Sequence, residues 1–246
     1  MKKIFFIALA VVFCLSGTVF AALDDFDGTD LSGIWTLRDP ADKADISFDN
    51  SELVLDLAAG ADMYIRGTDA GVLLLTEPPA MEDFTLEMKV NAAVDGEQPP
   101  ACHIGPVFFN EDAWAYSAWG PYSAGQDIRL EDCVDASYRW RDQIGIGIDP
   151  ADIAVDGDLW LRIVRTGDDL EFFAKGNAGD DWMSAGVEST LTEYYTEGDY
   201  MVGIIAKSWG GSVDSTFRID YFDIPELTTT AVSASGKLAT TWSAIK

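Results

Sequence analysis

Apolar and polar residues alternate with a period of two along much of the chain. In the clearest segment, apolar residues occupy positions 84, 86, 88 and 90, and polar residues occupy the positions between them. This pattern predicts an antiparallel strand with one face in a hydrophobic core. The same alternation recurs in residues 53–57, 159–163, 170–174 and 217–219.

Short turn sequences separate these segments. Asp27-Gly28, Asp95-Gly96 and Asp156-Gly157 supply residues that tolerate the positive φ angles of tight turns. No long segment has the period of an amphipathic helix. Many short strands joined by regular turns predict an all-β fold, an antiparallel two-sheet β-sandwich.

The two ends of the chain differ from its middle. Residues 1–21 have two lysines, an apolar run and a small-residue stretch, which are typical of a signal peptide. The apolar run is shorter than the roughly 20 residues of a membrane span. We expect one sandwich domain in residues 22–226 and a polar linker with a short tail in residues 227–246. The predicted location is secreted, extracellular or at the cell surface, with the periplasm as an alternative.

The chain is strongly acidic, with a formal net charge of −26. Removal of Lys2 and Lys3 with the signal would leave −28. Such a charge repels nucleic acids and anionic membranes, so neither is an expected partner. After signal removal only Cys102 and Cys133 remain, and an even pair in an exported protein predicts a disulfide.

Three stretches, residues 23–35, 159–182 and 201–224, resemble the concanavalin A-like lectin/glucanase superfamily. Within that superfamily they are most similar to sandwich modules related to the C-terminal domain of bacterial β-xylosidases. The resemblance implies a concanavalin A-like jelly roll in which Phe26, Leu31 and Trp35 are packing anchors. It also implies that the first and last strands are neighbours. It implies no activity, because the same fold serves lectins, glucanases and spacers.

Catalytic motifs are missing from the sequence. Glucanases of the resembled superfamily use a Glu-x-Asp-x-x-Glu strand, and its nearest counterpart, Glu197-Gly198-Asp199, is followed by Val202 where the second glutamate belongs. His103 is the only histidine, which excludes a multi-histidine metal site. We therefore predict no catalytic residue. The alternative is a glycan-cleaving hydrolase with an unrecognised pair of carboxylates.

Clustered aspartates near the start of the domain suggest a structural calcium ion, although no cofactor is required. Asp25 and Asp27 lie beside Gly28, and Asp220 joins them if the first and last strands are neighbours, as the resemblance implies. Ordinary turn and edge-strand acidity is the alternative.

Aromatic and charged residues gather between positions 107 and 141. Aromatic rings stack on the apolar face of a pyranose, and guanidinium or carboxylate groups bond its hydroxyls. The alternative is that these rings fill the core, as we expect for Trp35 and Trp160. The predicted ligand-binding residues are Trp114, Tyr116, Trp119, Tyr122, Arg129, Glu131, Trp140, Arg141 and Trp209.

These features together predict a secreted, non-catalytic binding module with carbohydrate as its ligand. Besides the hydrolase, a second alternative is a cell-surface structural or adhesion module that uses the C-terminal tail.

Overall fold

The computed structural model describes residues 23–63, 69–91, 102–122, 125–134, 137–140, 158–188, 194–196, 198–208 and 214–227. For residues 114–122, 125–134, 137–140, 185 and 188 it describes the backbone alone. No helix in these ranges is long and apolar enough to cross a membrane. The strands within them are β1 (Thr36–Arg38), β2 (Ala44–Asp49), β3 (Glu52–Leu57), β4 (Val72–Thr76), β5 (Phe84–Asn91), β6 (Cys102–Asn110), β7 (Ala113–Tyr122), β8 (Gly125–Val134), β9 (Ser137–Trp140), β10 (Asp158–Thr166), β11 (Asp169–Lys175), β12 (Met183–Glu188), β13 (Met201–Ser208) and β14 (Ser215–Asp223).

The strands form two seven-stranded antiparallel sheets. Sheet A has the order β12-β11-β10-β5-β14-β3-β2, and sheet B has the order β1-β4-β13-β6-β7-β8-β9. Apolar residues from both sheets form one central cluster between them. The predicted all-β, antiparallel two-sheet sandwich is therefore confirmed.

Strand β5 shows how the alternation in the sequence builds the core. Phe84, Leu86, Met88 and Val90 are at most 1% exposed, while the residues between them are half-buried on the outer face of sheet A. The neighbouring strands β10 and β14 pair with β5 and bury their own alternate residues in the same cluster. Each predicted alternating segment is a strand of this sheet.

Strands β6 and β13, in the middle of sheet B, are buried on both faces. Every residue from Cys102 to Phe109 is buried, as is every residue from Val202 to Ser208. A second apolar cluster, which includes Leu73, Val107 and Ile205, lies on the outer face of these strands and of β4. Burial on both faces removes the need for polar alternation, so both strands read as nearly continuous apolar runs.

Gly203 allows β13 and β4 to approach closely. A Cβ atom at this position would overlap the carbonyl oxygen of Leu74 on the neighbouring strand. Because that oxygen belongs to the backbone of a buried strand, it has no room to move aside. Only glycine therefore fits at this position.

We expect Gly203→Ala to lower the free energy of unfolding by about 1–3 kcal/mol or more, since overpacking a rigid site forces backbone shifts. Gly33→Ala is the matched control, because a Cβ at Gly33 meets no atom within 4 Å; its expected change is within about 0.5 kcal/mol. Urea denaturation of both variants measures the difference. Equal stability of the two variants would contradict the close approach of β4 and β13.

The opening segment is held against the last strand. Asp24 and Phe222 exchange two backbone hydrogen bonds of 3.0 and 2.9 Å. The Asp24 carboxylate accepts the indole N–H of Trp35 at 2.7 Å and the Ser32 hydroxyl at 2.8 Å. Trp35 stacks on Phe26, with ring centroids 6.1 Å apart, and meets Phe222 edge-on at 5.3 Å. The expected adjacency of the first and last segments is confirmed, as is the packing role of these two aromatic anchors.

Strand β14 contains a β-bulge at Asp220. Ile219 and Tyr221 pair with consecutive residues of β5, so Asp220 is an extra residue that has no pairing partner on β5. As a result both Asp220 and Tyr221 lie on the outer face of sheet A, and Phe222 returns to the core. Without the bulge, Tyr221 would take the inward position and Phe222 the outward one.

The predicted disulfide between Cys102 and Cys133 is wrong, because Cys102 is a free, buried thiol. The strand register gives the reason. Cys133 pairs with Trp114, which pairs with Phe109, seven residues along β6 from Cys102. At roughly 3.4 Å per residue the two cysteines are about 24 Å apart along the strands, whereas a disulfide needs Cα atoms within about 7 Å.

We expect both cysteines to react with iodoacetamide after unfolding without reductant. In the folded protein Cys102 should resist alkylation, because burial raises the pKa of its thiol to about 11 and excludes the reagent. Mass spectrometry of the protein before and after unfolding counts the added groups. A requirement for reductant before either cysteine reacts would contradict the register of sheet B.

Candidate functional site

The register of β6 and β7 determines which predicted ligand-binding residues share a face. Trp114 pairs with Phe109, and Tyr116 pairs with Val107. Residues paired directly across neighbouring strands lie on the same face of a sheet. Phe109 and Val107 belong to the apolar cluster on the outer face of sheet B. Trp114 and Tyr116 therefore occupy outer-face positions.

Strands β8 and β9 extend this row of positions toward the edge of the sheet. Glu131 pairs with Tyr116 on one side and with Trp140 on the other, and Arg129 pairs with Ala118, two residues after Tyr116. Tyr122 is also an even number of residues from Tyr116 along β7. We call this set the outer-face aromatic row: Trp114, Tyr116, Tyr122, Arg129, Glu131 and Trp140.

Trp119 is separated from that row. It is five residues from Trp114 along β7, and an odd spacing places two residues of a strand on opposite faces. Its partner on β6 is Ile104, which is in the central core. Trp119 thus occupies a core-side position. Arg141 and Trp209, the two other predicted ligand-binding residues, lie outside the described residues.

The described half of the same face has a compact apolar floor. Met63, Leu73, Leu75 and Ile205 are at most 5% exposed there, beside Phe109 and Val107. An arginine from the edge strand covers one flank of this floor. Arg38 lies 5.4 Å from the centre of the Phe109 ring, donates to Asp69 at 2.7 and 3.0 Å and to Glu111 at 3.4 Å. These carboxylates raise the pKa of Arg38.

Charged and polar groups are buried at the other end of this floor. Lys207 is 1% exposed and pairs across the strands with His103, which is fully buried. Burial raises the pKa of Asp62, and the charge of Lys207 lowers it. Within the described part of the chain, Asp62 Oδ1 is buried and lacks a hydrogen-bond partner. Sequence reasoning missed Lys207, because a lysine in a strand normally marks a solvated face.

The three predicted calcium ligands lie on the outer surface. Asp25 and Asp27 are exposed in the opening segment, where the Asp27 backbone N–H donates to Asp25 at 3.4 Å. Asp220 accepts a hydrogen bond from Lys89 at 3.0 Å. Among the described residues, no three His, Cys, Asp or Glu side chains are grouped closely enough to share a metal ion. The calcium site stays a prediction.

The outer face of sheet A carries cations over tryptophan rings. Lys175 lies 4.7 Å from the Trp182 ring centre and 5.6 Å from that of Trp160, and Lys89 lies 5.4 Å from Trp160 on its other side. Arg162 lies 3.8 Å from the Trp182 ring centre. The expectation that Trp160 is buried in the core is wrong, because it alternates with inward-facing Leu159 and Leu161 and is only half-buried.

Two carboxylates face each other on this surface. Glu87 of β5 pairs with Asp223 of β14. Glu87 accepts hydrogen bonds from Arg162 and, at 2.6 Å, from the Tyr221 hydroxyl. Burial raises the pKa of Tyr221, and that of Asp223 to about 6, although backbone N–H groups partly offset the effect on Asp223. Two facing carboxylates are the arrangement that glycoside hydrolases use.

This pair is nevertheless occupied by structural bonds. Asp223 accepts the backbone N–H of Leu23 at 3.2 Å, which ties it to the opening segment. Glu87 is 15% exposed and holds Arg162 in a salt bridge. Asp223 therefore ties the opening segment to β14, and Glu87 ties β5 to β10 and β14.

Comparison with known proteins finds solved structures that share this fold. No family model matches the sequence, and no curated protein matches it. A xylan β-1,4-xylosidase from Bacillus halodurans matches with a TM-score of 0.60 at 17% identity, over 82% of this chain and 38% of that one. The GH43 protein BlXynB from Bacillus licheniformis gives 0.60 at 16% identity, over the same shares. A β-1,3-glucanase from Mycobacterium marinum gives 0.52 at 14% identity, over 83% of this chain and 98% of that one.

These likenesses show the fold. The chain has the two-sheet β-sandwich fold of these proteins, as the sequence resemblance implied. It spans only 38% of the length of the two Bacillus proteins. Identities of 14–17% carry no residue roles from one protein to another.

The raised pKa of Asp223 predicts a pH-dependent stability difference. The folded state holds the Asp223 proton more tightly than the unfolded chain, so this group stabilises the fold below about pH 4 and loses that contribution as pH rises through about 6. Asp223→Asn keeps the acceptor for Leu23 and removes the charge. We expect the variant to exceed wild type by about 1 kcal/mol at pH 7.5, a value reduced for solvent screening, and by little at pH 4.5.

Chemical denaturation at both pH values measures this difference. Asp181→Asn is the control, because it removes one carboxylate charge at an exposed position. A variant that is less stable than wild type at pH 7.5 would contradict the burial of the Asp223 charge.

Proposed function

We propose that the protein is an exported, non-catalytic carbohydrate-binding module and that the outer-face aromatic row of sheet B is its ligand surface. The register that brings Trp114, Tyr116, Arg129 and Glu131 to one face is the observation that carries this proposal. A sugar ring needs an aromatic surface for its apolar face, and it needs donors and acceptors for its hydroxyls. The row combines both kinds of residue on adjacent strands.

The spacing of the row suits an extended ligand. Neighbouring strands are about 4.8 Å apart and alternate residues of one strand about 6.8 Å apart. Aromatic residues at Trp114, Tyr116 and Trp140 therefore span roughly 10 Å or more across β7, β8 and β9, enough for more than one sugar unit. Beside the row, the buried apolar cluster on the outer face of β4, β13 and β6 makes the neighbouring half of sheet B rigid.

The fold is consistent with this proposal. Two of the similar structures are a xylan β-1,4-xylosidase and a β-1,3-glucanase, whose ligands are polysaccharides by name. We accordingly propose plant-type or microbial β-linked polysaccharides as the first ligands to test. We also propose a structural calcium ion held by Asp25, Asp27 and Asp220, which would have to draw together carboxylates that are not grouped in this structure.

A hydrolase is the second candidate, and the facing pair Glu87 and Asp223 is the observation that favours it. Against it, both carboxylates are engaged by Arg162, Tyr221 and the Leu23 backbone. On sheet B, Glu131 and Asp132 are consecutive and so occupy opposite faces, which argues against their acting as a pair. The adhesion alternative depends on a tail that lies outside the described residues.

We expect the mature domain to bind immobilised β-linked glycans saturably and a Trp114→Ala, Tyr116→Ala variant to bind at least ten-fold more weakly, because the stacking surface is lost. Trp182→Ala, which removes a half-buried ring from the outer face of sheet A, is the control and should bind as wild type does. A glycan array followed by pull-down, with calcium and with EGTA, gives the measurement.

The same samples test the alternatives. Release of reducing sugar that is abolished by Glu87→Gln would favour the hydrolase. Absence of binding to every glycan, with and without calcium, would overturn the carbohydrate proposal.

A further inference from the structure

A cavity of about 780 Å³ opens at the end of the sandwich where β10 ends and β13 begins. Three segments surround it: the connection from β4 to β5, the turn from β10 to β11, and the residues that precede β13. We propose that this cavity is a second saccharide site, one that binds a neutral sugar unit in its mouth. The ligand class rests on the proposed function, whereas the site rests on different residues.

The floor of the cavity is rigid. Tyr195 and Tyr200 belong to an aromatic cluster with Phe108 and Phe84 that closes this end of the core. The ring centroids in this cluster are 5.5–5.9 Å apart, and all four side chains are at most 6% exposed. A floor of packed rings keeps its shape without a ligand, so binding costs little conformational entropy.

A single cation lies in the cavity wall. Arg165, at the end of β10, donates through Nη1 to the Tyr195 carbonyl at 3.1 Å and to the Tyr200 hydroxyl at 3.0 Å, and through Nε to the Gly167 carbonyl at 3.4 Å. Its Nη2 makes no hydrogen bond within the described part of the chain. The guanidinium is thus fixed along one side, with two N–H donors left for a ligand.

Arg165 differs in this respect from the other strand arginines whose side chains the structure describes. Arg38, Arg162 and Arg218 each form a salt bridge with at least one carboxylate, but no carboxylate in the described ranges pairs with Arg165. In a chain with a net charge of −26, an arginine held only by neutral oxygens is unusual. Nη2 of Arg165 can therefore donate to the hydroxyl groups of a ligand.

Acceptors and an apolar patch complete the lining. Glu77, Glu82 and Asp168 are exposed around the mouth, and Met81, 37% exposed, lies between the two glutamates in sequence. Three carboxylates against one guanidinium repel an anionic ligand. Vicinal hydroxyls of a neutral sugar satisfy donors and acceptors at once, and its C–H face packs on the methionine. The cavity volume is within the roughly 300–1,000 Å³ of small-ligand sites.

The test blocks the cavity without touching sheet B. Met81→Trp fills the mouth, and Arg165→Lys removes the planar donor pair. Val187→Trp, which places the same ring at an exposed site on β12, is the control. Xylotetraose, laminaritetraose and glucuronic acid are titrated into each protein by calorimetry and by ligand-observed NMR, and thermal unfolding checks that the fold is intact.

We expect a neutral tetrasaccharide to bind the Trp114→Ala, Tyr116→Ala variant still, and to bind at least ten-fold more weakly once Met81→Trp is added. Glucuronic acid should bind more weakly than the neutral sugars. If Arg165→Lys does not fold, the Met81→Trp result alone decides.

Binding unchanged by Met81→Trp, or abolished by the sheet B variant alone, would overturn the second site while leaving the proposed function intact. Loss of binding in every arm, wild type included, would overturn both.

Discussion

The packing of the two sheets on each other is the interaction on which the rest of the structure depends. Residues such as Leu86, Leu161 and Ile204 lose all or nearly all contact with water only because the sheets meet face to face. Burial of this kind supplies roughly 25 cal/mol for each Å² of apolar surface removed from water. Since each side chain alternates across its strand, the inward set fixes which residues face outward. The outer surfaces on which any ligand can bind are thus a consequence of the core.

The two outer surfaces are built differently. On sheet A, salt bridges and cations over tryptophan rings satisfy the outward residues among themselves, with Lys89 between Asp158 and Asp220 as an example. On sheet B, apolar residues such as Leu73 and Ile205 are buried instead, and they merge with the row of aromatic positions on β7 to β9. The charged groups on sheet A are already paired, whereas the aromatic positions on β7 to β9 share a face with Arg129 and Glu131. This contrast is why the proposed glycan surface is on sheet B.

Much of the fold could be predicted from alternation alone. Strand β5 and the other alternating strands of sheet A have one face in the core and one in water, and this asymmetry is visible in the sequence. Strand β6 has no such asymmetry, because both faces are buried, and its partners were not predictable. The disulfide prediction failed because the sequence does not show the register of β6, β7 and β8. That register places Cys102 and Cys133 far apart along the strands. The bulge at Asp220 depends on pairing with β5 and leaves no signal in its own segment.

The candidate site was predictable in composition but not in geometry. The sequence identified the aromatic residues, and the pairing of Trp114 with Phe109 and of Trp119 with Ile104 divided them between faces. The cavity beside Arg165 was missed, since its lining comes from three separated turns that carry no shared motif. Chain segments far apart in sequence meet at the end of a sandwich only after the core has formed.

A crystal structure of the mature domain with a bound β-linked tetrasaccharide would test the central claim most directly. The account predicts sugar rings on the outer face of sheet B, stacked on Trp114 or Tyr116 with hydroxyls bonded to Arg129 or Glu131. A tetrasaccharide bound on the outer face of sheet A, across Glu87 and Asp223, would contradict it.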